Sequence, residues 1–281
     1  MTRDTIQNRS EQTCACKNSI EEVVLPGCLN QNCEDGEQLL KRLYIVGIGP
    51  GGKDGMTFEA AEALRRSDCI VGYHVYIDLV RADFPEKEYF TTPMTKEVDR
   101  CLEALKIADT GKTVSLICSG DAGVYGMSGL VLQLHEEYPD VEIQVVAGVT
   151  AALAGAAVLG APLIHDFALI SLSDLLTPWE KIEKRLLLAA EADFVIVLYN
   201  PSSKKRHDYL KKACDLILRH QPPETVCGLV ENIGREGERA KVLTLAELRE
   251  ENVNMFTTVF IGNSQTRNIG GKMVTPRGYH L

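Results

Sequence analysis

Residues 43–52 read Leu-Tyr-Ile-Val-Gly-Ile-Gly-Pro-Gly-Gly, a short unbroken apolar run that stops in a cluster of glycines around Pro50. The run has the length of a buried strand, and strands that are apolar on both faces belong to sheets covered by helices on both sides. The glycines free the backbone to turn tightly or to approach another backbone. The loop lacks the Lys-Ser/Thr pair of a P-loop, and Pro50-Gly51-Gly52 departs from the spacing of the dinucleotide fingerprint. Taken alone it establishes only a glycine-lined rim at a strand end.

Working outward, the pattern repeats. Apolar runs at 43–49, 69–72, 113–118, 141–147, 168–172, 194–199, 226–231 and 257–261 predict strands. Amphipathic segments lie between them, and the clearest, 97–108, puts Val98, Cys101, Leu102, Leu105 and Ala108 on one helical face. Alternating strands and helices predict an α/β fold with ligand sites at the carboxyl ends of strands. Gly160-Ala161-Pro162 is the best candidate hinge, which gives a Cys-containing extension over 1–41, one α/β domain over 42–162 and a second over 163–281. A ligand groove between the two domains is then expected.

Several strand-end loops carry chemistry. In Cys118-Ser-Gly-Asp-Ala-Gly-Val-Tyr-Gly126, Asp121 can accept hydrogen bonds from a ribose diol or a ligand amine, or it can cap the following helix. In Ala147-Gly-Val-Thr-Ala151, capping is the simpler role for Thr150. Turn chemistry is enough to explain Leu198-Tyr-Asn-Pro201 and Glu231-Asn-Ile-Gly-Arg235.

The chain has 281 residues and a net charge of −9, which argues against bulk nucleic acid as the main partner, since phosphate binding shows as a basic excess. Nothing at the N-terminus reads as a secretory signal, so the expected compartment is the cytoplasm. Residues 145–164 carry no charge and approach the length of a bilayer span, but they are rich in Ala and Gly and are interrupted by Gly148, Thr150 and Pro162. They parse better as a strand end, a turn and a small-residue helix packed close to something, so no membrane is expected. Of nine cysteines, Cys69, Cys101, Cys118, Cys214 and Cys227 sit in apolar contexts and read as small buried hydrophobes. Cys14, Cys16, Cys28 and Cys33 cluster in the polar extension. They are a candidate zinc or iron–sulfur ligand set, although no CxxC pair is present, against the alternative of a reduced tail.

The ordered set GIGPGG (47–52), CSGDAGVYGM (118–127), AGVTA (147–151), HDFALISLSDLLTPWE (165–180), LYNPSSKKR (198–206), ENIGREGE (231–238), IGNSQT (261–266) and MVTPRGY (273–279) resembles the tetrapyrrole methylases. Within them, SLSDLLTPW, YNPSS and TPRGY point to the branch that methylates carbon 17 of precorrin-3B or cobalt-factor III with ring contraction, in cobalamin (corrin) biosynthesis. The resemblance implies a two-domain class III methyltransferase fold, with S-adenosyl-L-methionine in the interdomain cleft and a homodimer. Carried over by position, it implies donor contacts from Pro50, Ser119, Gly120, Asp121, Val124, Tyr125, Thr150, Ala151, Tyr199, Asn200 and Asn232. The family's Pro-Gly-Val-Thr-Ala loop begins here with Ala147, a change that should alter loop rigidity more than chemistry.

Ring contraction needs proton transfers. His74, His165, Asp166 and Asp174 are the candidates; His165 and Asp166 could instead pair with each other, and Asp174 could cap a helix over 178–190. The tetrapyrrole substrate is a polycarboxylate, so Lys96, Lys204, Lys205, Arg206, Arg235, Arg239, Arg267 and Arg277 are expected to form a local basic rim. Two other readings stay open: methylation at a different ring carbon, and a nucleotide-binding redox module in which GIGPGG holds phosphate and the N-terminal cysteine tail carries electrons.

Overall fold

The computed structural model describes residues 40–203 and 207–279. The first sheet is built from β1 (Arg42–Gly47), β2 (Cys69–Tyr73), β3 (Glu88–Thr92), β4 (Thr113–Cys118) and β5 (Glu142–Val146), in the order β3-β2-β4-β1-β5. All its pairings are parallel, so every strand delivers its carboxyl end to one edge. Side chains alternate across a strand. In β1, Leu43 and Ile45 enter one core while Tyr44 and Val46 enter another, which is why the segment reads as apolar throughout.

Helices α1 (Phe58–Arg66), α2 (His74–Val80), α3 (Glu97–Asp109) and α4 (Ser128–Leu134) connect these strands. Thr57 caps α1 by accepting the Ala60 N–H at 3.1 Å. In α3, Cys101, Leu105 and Ala108 are buried as the periodicity predicts, but Val98 is half exposed and Arg100 turns inward in the same first turn. The Arg100 guanidinium has acceptors there: it donates to Thr92 Oγ1 at 2.7 Å and to the Pro93 carbonyl at 2.9 Å.

The second sheet contains β7 (Phe167–Ser171), β8 (Val195–Tyr199), β9 (Val226–Glu231), β10 (Arg239–Thr244) and β11 (Thr257–Ile261), in the order β10-β9-β11-β8-β7. Only β7 and β8 pair in parallel, but β11 runs against both β8 and β9. The carboxyl ends of β7, β8 and β9 therefore meet the amino end of β11 at one edge. Helices α6 (Trp179–Glu191), α7 (Tyr209–Ile217) and α8 (Leu245–Leu248) complete this lobe, together with a small sheet of β12 (Arg267–Ile269), β13 (Lys272–Val274) and β6 (Gly160–Ala161).

Between β5 and β6 lies α5 (Ala151–Leu159), the small-residue helix expected from the uncharged stretch. Its Ala152, Ala156 and Leu159 share a core with Val197, Val230, Phe260 and Met273 of the second lobe. Gly155 allows this approach, since a Cβ there would stand 2.9 Å from Ile233 and Phe260 side-chain carbons. Among the described residues no helix is long and apolar enough to cross a membrane.

Candidate functional site

At the carboxyl edge of the first sheet, three loops are locked by their backbones. The Ile48 N–H donates to the Cys118 carbonyl at 2.9 Å, and Gly49 and Gly120 exchange N–H···O bonds at 3.0 and 2.7 Å. A Cβ on Gly47 would lie 2.7 Å from both the Gly120 carbonyl oxygen and the Gly148 nitrogen, so glycine is required for the loops to touch. The Gly52 N–H reaches the Gly234 carbonyl in the loop after β9, at 3.1 Å. These amides of the GIGPGG loop are thus engaged within the protein, which is not the arrangement of a phosphate cradle.

The Asp121 carboxylate joins two of these loops. One oxygen accepts the Gly123 and Val124 N–H groups at 2.8 and 3.1 Å, and the other accepts the Gly148 N–H at 2.9 Å. It braces a turn well ahead of α4, whose first residue is Ser128.

Side chains from each lobe then cross to the other. The Tyr199 hydroxyl, at the end of β8, stands 2.6 Å from Thr150 Oγ1 and accepts the Ala152 N–H at 2.6 Å. Thr150 ends the loop from β5 and is the N-cap residue of α5, with Tyr199 as its hydroxyl's partner. The Tyr125 hydroxyl, from the loop after β4, donates to the Leu169 carbonyl at 3.0 Å and accepts the Ser171 N–H at 3.1 Å along the open edge of β7. Within the second lobe, Asn200 donates to Ser171 Oγ at 2.9 Å. Arg235 donates from Nε to the Pro50 carbonyl and from Nη2 to Ser119 Oγ, both at 2.9 Å.

These crossings surround a cavity. Its walls include Pro50, Ser119, Gly120, Val124, Tyr125, Thr150, Ala151, Tyr199, Asn200 and Asn232, so the structure brings together every expected donor contact except Asp121, which stands behind the wall as a brace. Tyr125, Asn200 and Asn232 hold left-handed φ values of 54°, 53° and 55°. Such conformations persist only where the surroundings over-determine them, and they concentrate at functional sites.

A sequence profile described as Tetrapyrrole (Corrin/Porphyrin) Methylases matches residues 42–249. The chain belongs to the tetrapyrrole methylase family. It is 48% identical over 240 residues to a probable cobalt-factor III C(17)-methyltransferase of Salmonella typhimurium, covering 85% of this chain and 100% of that protein. Identity to a cobalt-factor III methyltransferase of Priestia megaterium is 43%, over 85% of this chain and 45% of that longer protein. The crystal structure of the methyltransferase CobJ superposes with a TM-score of 0.76 at 34% identity, covering 83% of this chain and 99% of that one. Like these tetrapyrrole methylases, the chain is an S-adenosylmethionine-dependent methyltransferase with the class III α/β fold.

Several residues of the cavity carried no sequence expectation: Tyr76, Ile233, Met255, Phe256, Thr257 and Thr258. Tyr76 lies just beyond the end of β2, a strand-end position that could have flagged it. Burial pushes its phenol above the usual range, as it does that of Tyr199. The segment 255–258 enters through the antiparallel β11, whose amino end faces the cavity, so a rule about carboxyl ends misses it.

The proton-transfer candidates are dispersed. His74 opens α2, exposed, with its ring 4.3 Å from that of Tyr73. His165 and Asp166 lie at the amino end of β7, a strand of about 13 Å whose other end borders the cavity. Asp174 follows β7 and accepts the Tyr209 hydroxyl at 2.6 Å, while the N-cap position of α6 is Pro178. Among the described residues of the expected basic rim, only Arg235 is a cavity wall. Lys96 pairs with Asp99 and Arg239 with Glu231, Arg277 donates to the Ile164 carbonyl, and Arg267 is exposed on β12. Lys204, Lys205 and Arg206 lie outside the described residues.

The metal expectation at Cys14, Cys16, Cys28 and Cys33 also falls outside the described residues, and among those described no cluster of His, Cys, Asp or Glu is placed to hold a metal. Cys69, Cys101, Cys118, Cys214 and Cys227 are buried free thiols. Burial pushes Cys101 and Cys214 up to about 12 and Cys118 up to about 11, so they are packing groups and not thiolate redox centres.

Proposed function

We propose that this protein transfers a methyl group from S-adenosyl-L-methionine to carbon 17 of cobalt-factor III or precorrin-3B, with contraction of the macrocycle, in cobalamin biosynthesis. The observation that carries this reading is the 48% identity across the whole length of the Salmonella relative, a probable cobalt-factor III C(17)-methyltransferase. A Sinorhizobium precorrin-3B C(17)-methyltransferase, 42% identical over 229 residues, supports the same ring position.

The cavity suits an adenosyl thioether. Close-packed glycine backbone supplies a surface that a flat group can approach, Ile233, Met255 and Phe256 supply apolar contact, and Asn200, Asn232 and Thr258 supply polar groups. When bound, S-adenosylmethionine supplies an electrophilic methyl group to the electron-rich ring carbon. The protein's part is orientation: Tyr125, Tyr199 and Arg235 tie the lobes together so that walls from both are fixed at once. Pro50, Ser119, Gly120, Val124, Tyr125, Thr150, Ala151, Tyr199, Asn200 and Asn232 are proposed to hold the donor, with Asp121 holding their loops in place.

For ring contraction, His74 is the proposed proton-transfer group among the candidates, because it opens α2 at the carboxyl edge of the first sheet, two residues before Tyr76 of the cavity. The two-domain division and a cytoplasmic homodimer belong to the same proposal. An α5 apolar all round, with Leu153 half exposed, supports a partner surface. Sedimentation at twice the protomer mass is the expected result.

Anaerobic incubation with cobalt-factor III or precorrin-3B and methyl-labelled S-adenosylmethionine tests the reading. Label at carbon 17 of a ring-contracted product, located by NMR and mass spectrometry, is expected. Label at another ring carbon, or none on the macrocycle, would contradict it.

A further inference from the structure

Arg235 is the charged side chain in the cavity wall, and its surroundings leave it incompletely paired. A guanidinium has five N–H donors. The bonds to Pro50 and Ser119 use two of them, on Nε and Nη2. Both acceptors are neutral, and no carboxylate among the described residues pairs with Arg235. Its guanidinium carbon lies 5.9 Å from the Tyr76 ring centre and 5.7 Å from that of Phe256, so aromatic faces flank it. Lys96 and Arg239, by contrast, have their carboxylates at 3.0 and 2.7 Å.

A cation partly removed from water with no counter-ion is costly unless a ligand supplies one. Two neutral bonds fix the plane of the fork, which sets the remaining donors for a planar, two-oxygen acceptor.

We propose that Arg235 is the carboxylate-receiving residue of the cavity, with its fork oriented by the Pro50 carbonyl and the Ser119 hydroxyl. The inference rests on the cavity being the methyl-donor site. Two ligands of the reaction carry carboxylates: the methionyl end of the donor and the acidic arms of the macrocycle.

Calorimetric binding of S-adenosylhomocysteine and of 5′-methylthioadenosine, which keeps the adenosyl thioether but lacks the carboxylate, separates the sources when measured on wild type, Arg235→Met and Arg235→Lys. If the donor's carboxylate is received, Arg235→Met loses roughly 10- to 100-fold for S-adenosylhomocysteine and little for methylthioadenosine, and Arg235→Lys recovers part of the loss. If the macrocycle's carboxylate is received, both adenosyl ligands keep their affinity, and absorbance titration with cobalt-factor III shows a loss of similar size. Equal losses for both adenosyl ligands would make Arg235 a latch between lobes and nothing more, and overturn the proposal, as would no loss for any ligand. Should Arg235→Met fail to fold, Arg235→Lys is judged by the same pattern of losses. A wild type that binds S-adenosylhomocysteine but transfers no methyl group to the macrocycle would defeat the carbon-17 reading while leaving the adenosyl contrast intact.

Discussion

The two lobes build the cavity from different materials. The first positions its walls through backbone: Gly47, Gly49, Gly120 and Gly148 bring three loops within touching distance, Asp121 fastens them through main-chain N–H groups, and the loops so held present Pro50, Ser119, Tyr125 and Thr150 to the cavity. The second contributes side chains: Tyr199, Asn200, Asn232, Arg235 and Phe256. A backbone wall has one shape and tolerates no added atom, whereas a side-chain wall fails one hydrogen bond at a time. Substitutions should therefore be severe and concerted in the first lobe, graded and local in the second.

The most damaging change expected is Gly148→Ala, whose Cβ would overlap the carbonyl oxygens of Gly120 and Gly47. It should destabilise by about 3 kcal/mol and abolish S-adenosylhomocysteine binding; an unchanged melting temperature in calorimetry would end the view of a rigid backbone wall. Tyr199→Phe removes the partner of Thr150 Oγ1 and the Ala152 N–H, and should cost about 2 kcal/mol in urea unfolding. Tyr125→Phe, at a more exposed hydroxyl contact, should cost no more than about 1 kcal/mol.

Asp193→Asn tests a second-lobe feature remote from the cavity. The Asp193 carboxylate accepts from Ser264 N–H and Oγ and from Gln221 Nε2. Burial raises its pKa, but the Ser264 and Gln221 bonds outweigh this and hold it below the usual carboxylate value. The stabilisation is therefore present above pH ~4 and is lost as pH falls through the lowered value. The asparagine variant should be less stable by about 1 kcal/mol at pH 7, and the gap should close in acid; a gap that widens below pH ~4 would reverse the sign of this argument.

The smallest effect is expected at Thr95, a β-branched residue at φ 65° outside the cavity walls. Thr95→Gly should be neutral or stabilising by up to about 1 kcal/mol, since it relieves strain without removing a wall. A clear loss of stability would show that Thr95 makes compensating contacts.

Much of this division was legible in the sequence. Central strands such as β1, β4 and β8 bury both faces and so announce themselves as apolar runs. The edge strands β3 and β10, with Glu88–Thr92 and Arg239–Thr244 half exposed, carry no such run and were invisible to the same rule. Strand-end motifs located most cavity walls because carboxyl ends share one edge of a parallel sheet. Met255 and Phe256 escaped because the second sheet is mixed and β11 arrives reversed. Arg235 was legible as a basic residue of the ENIGREGE motif, but its bonds to Pro50 and Ser119 depend on a long-range approach that no local pattern encodes.

A crystal structure of the full chain grown with S-adenosylhomocysteine would probe the cavity most directly. The ligand should lie against the Gly120 backbone on one side and within reach of Asn200 and Asn232 on the other, touching both lobes at once. Binding to a single lobe, or at a surface away from these residues, would contradict the assignment of this cavity as the methyl-donor site.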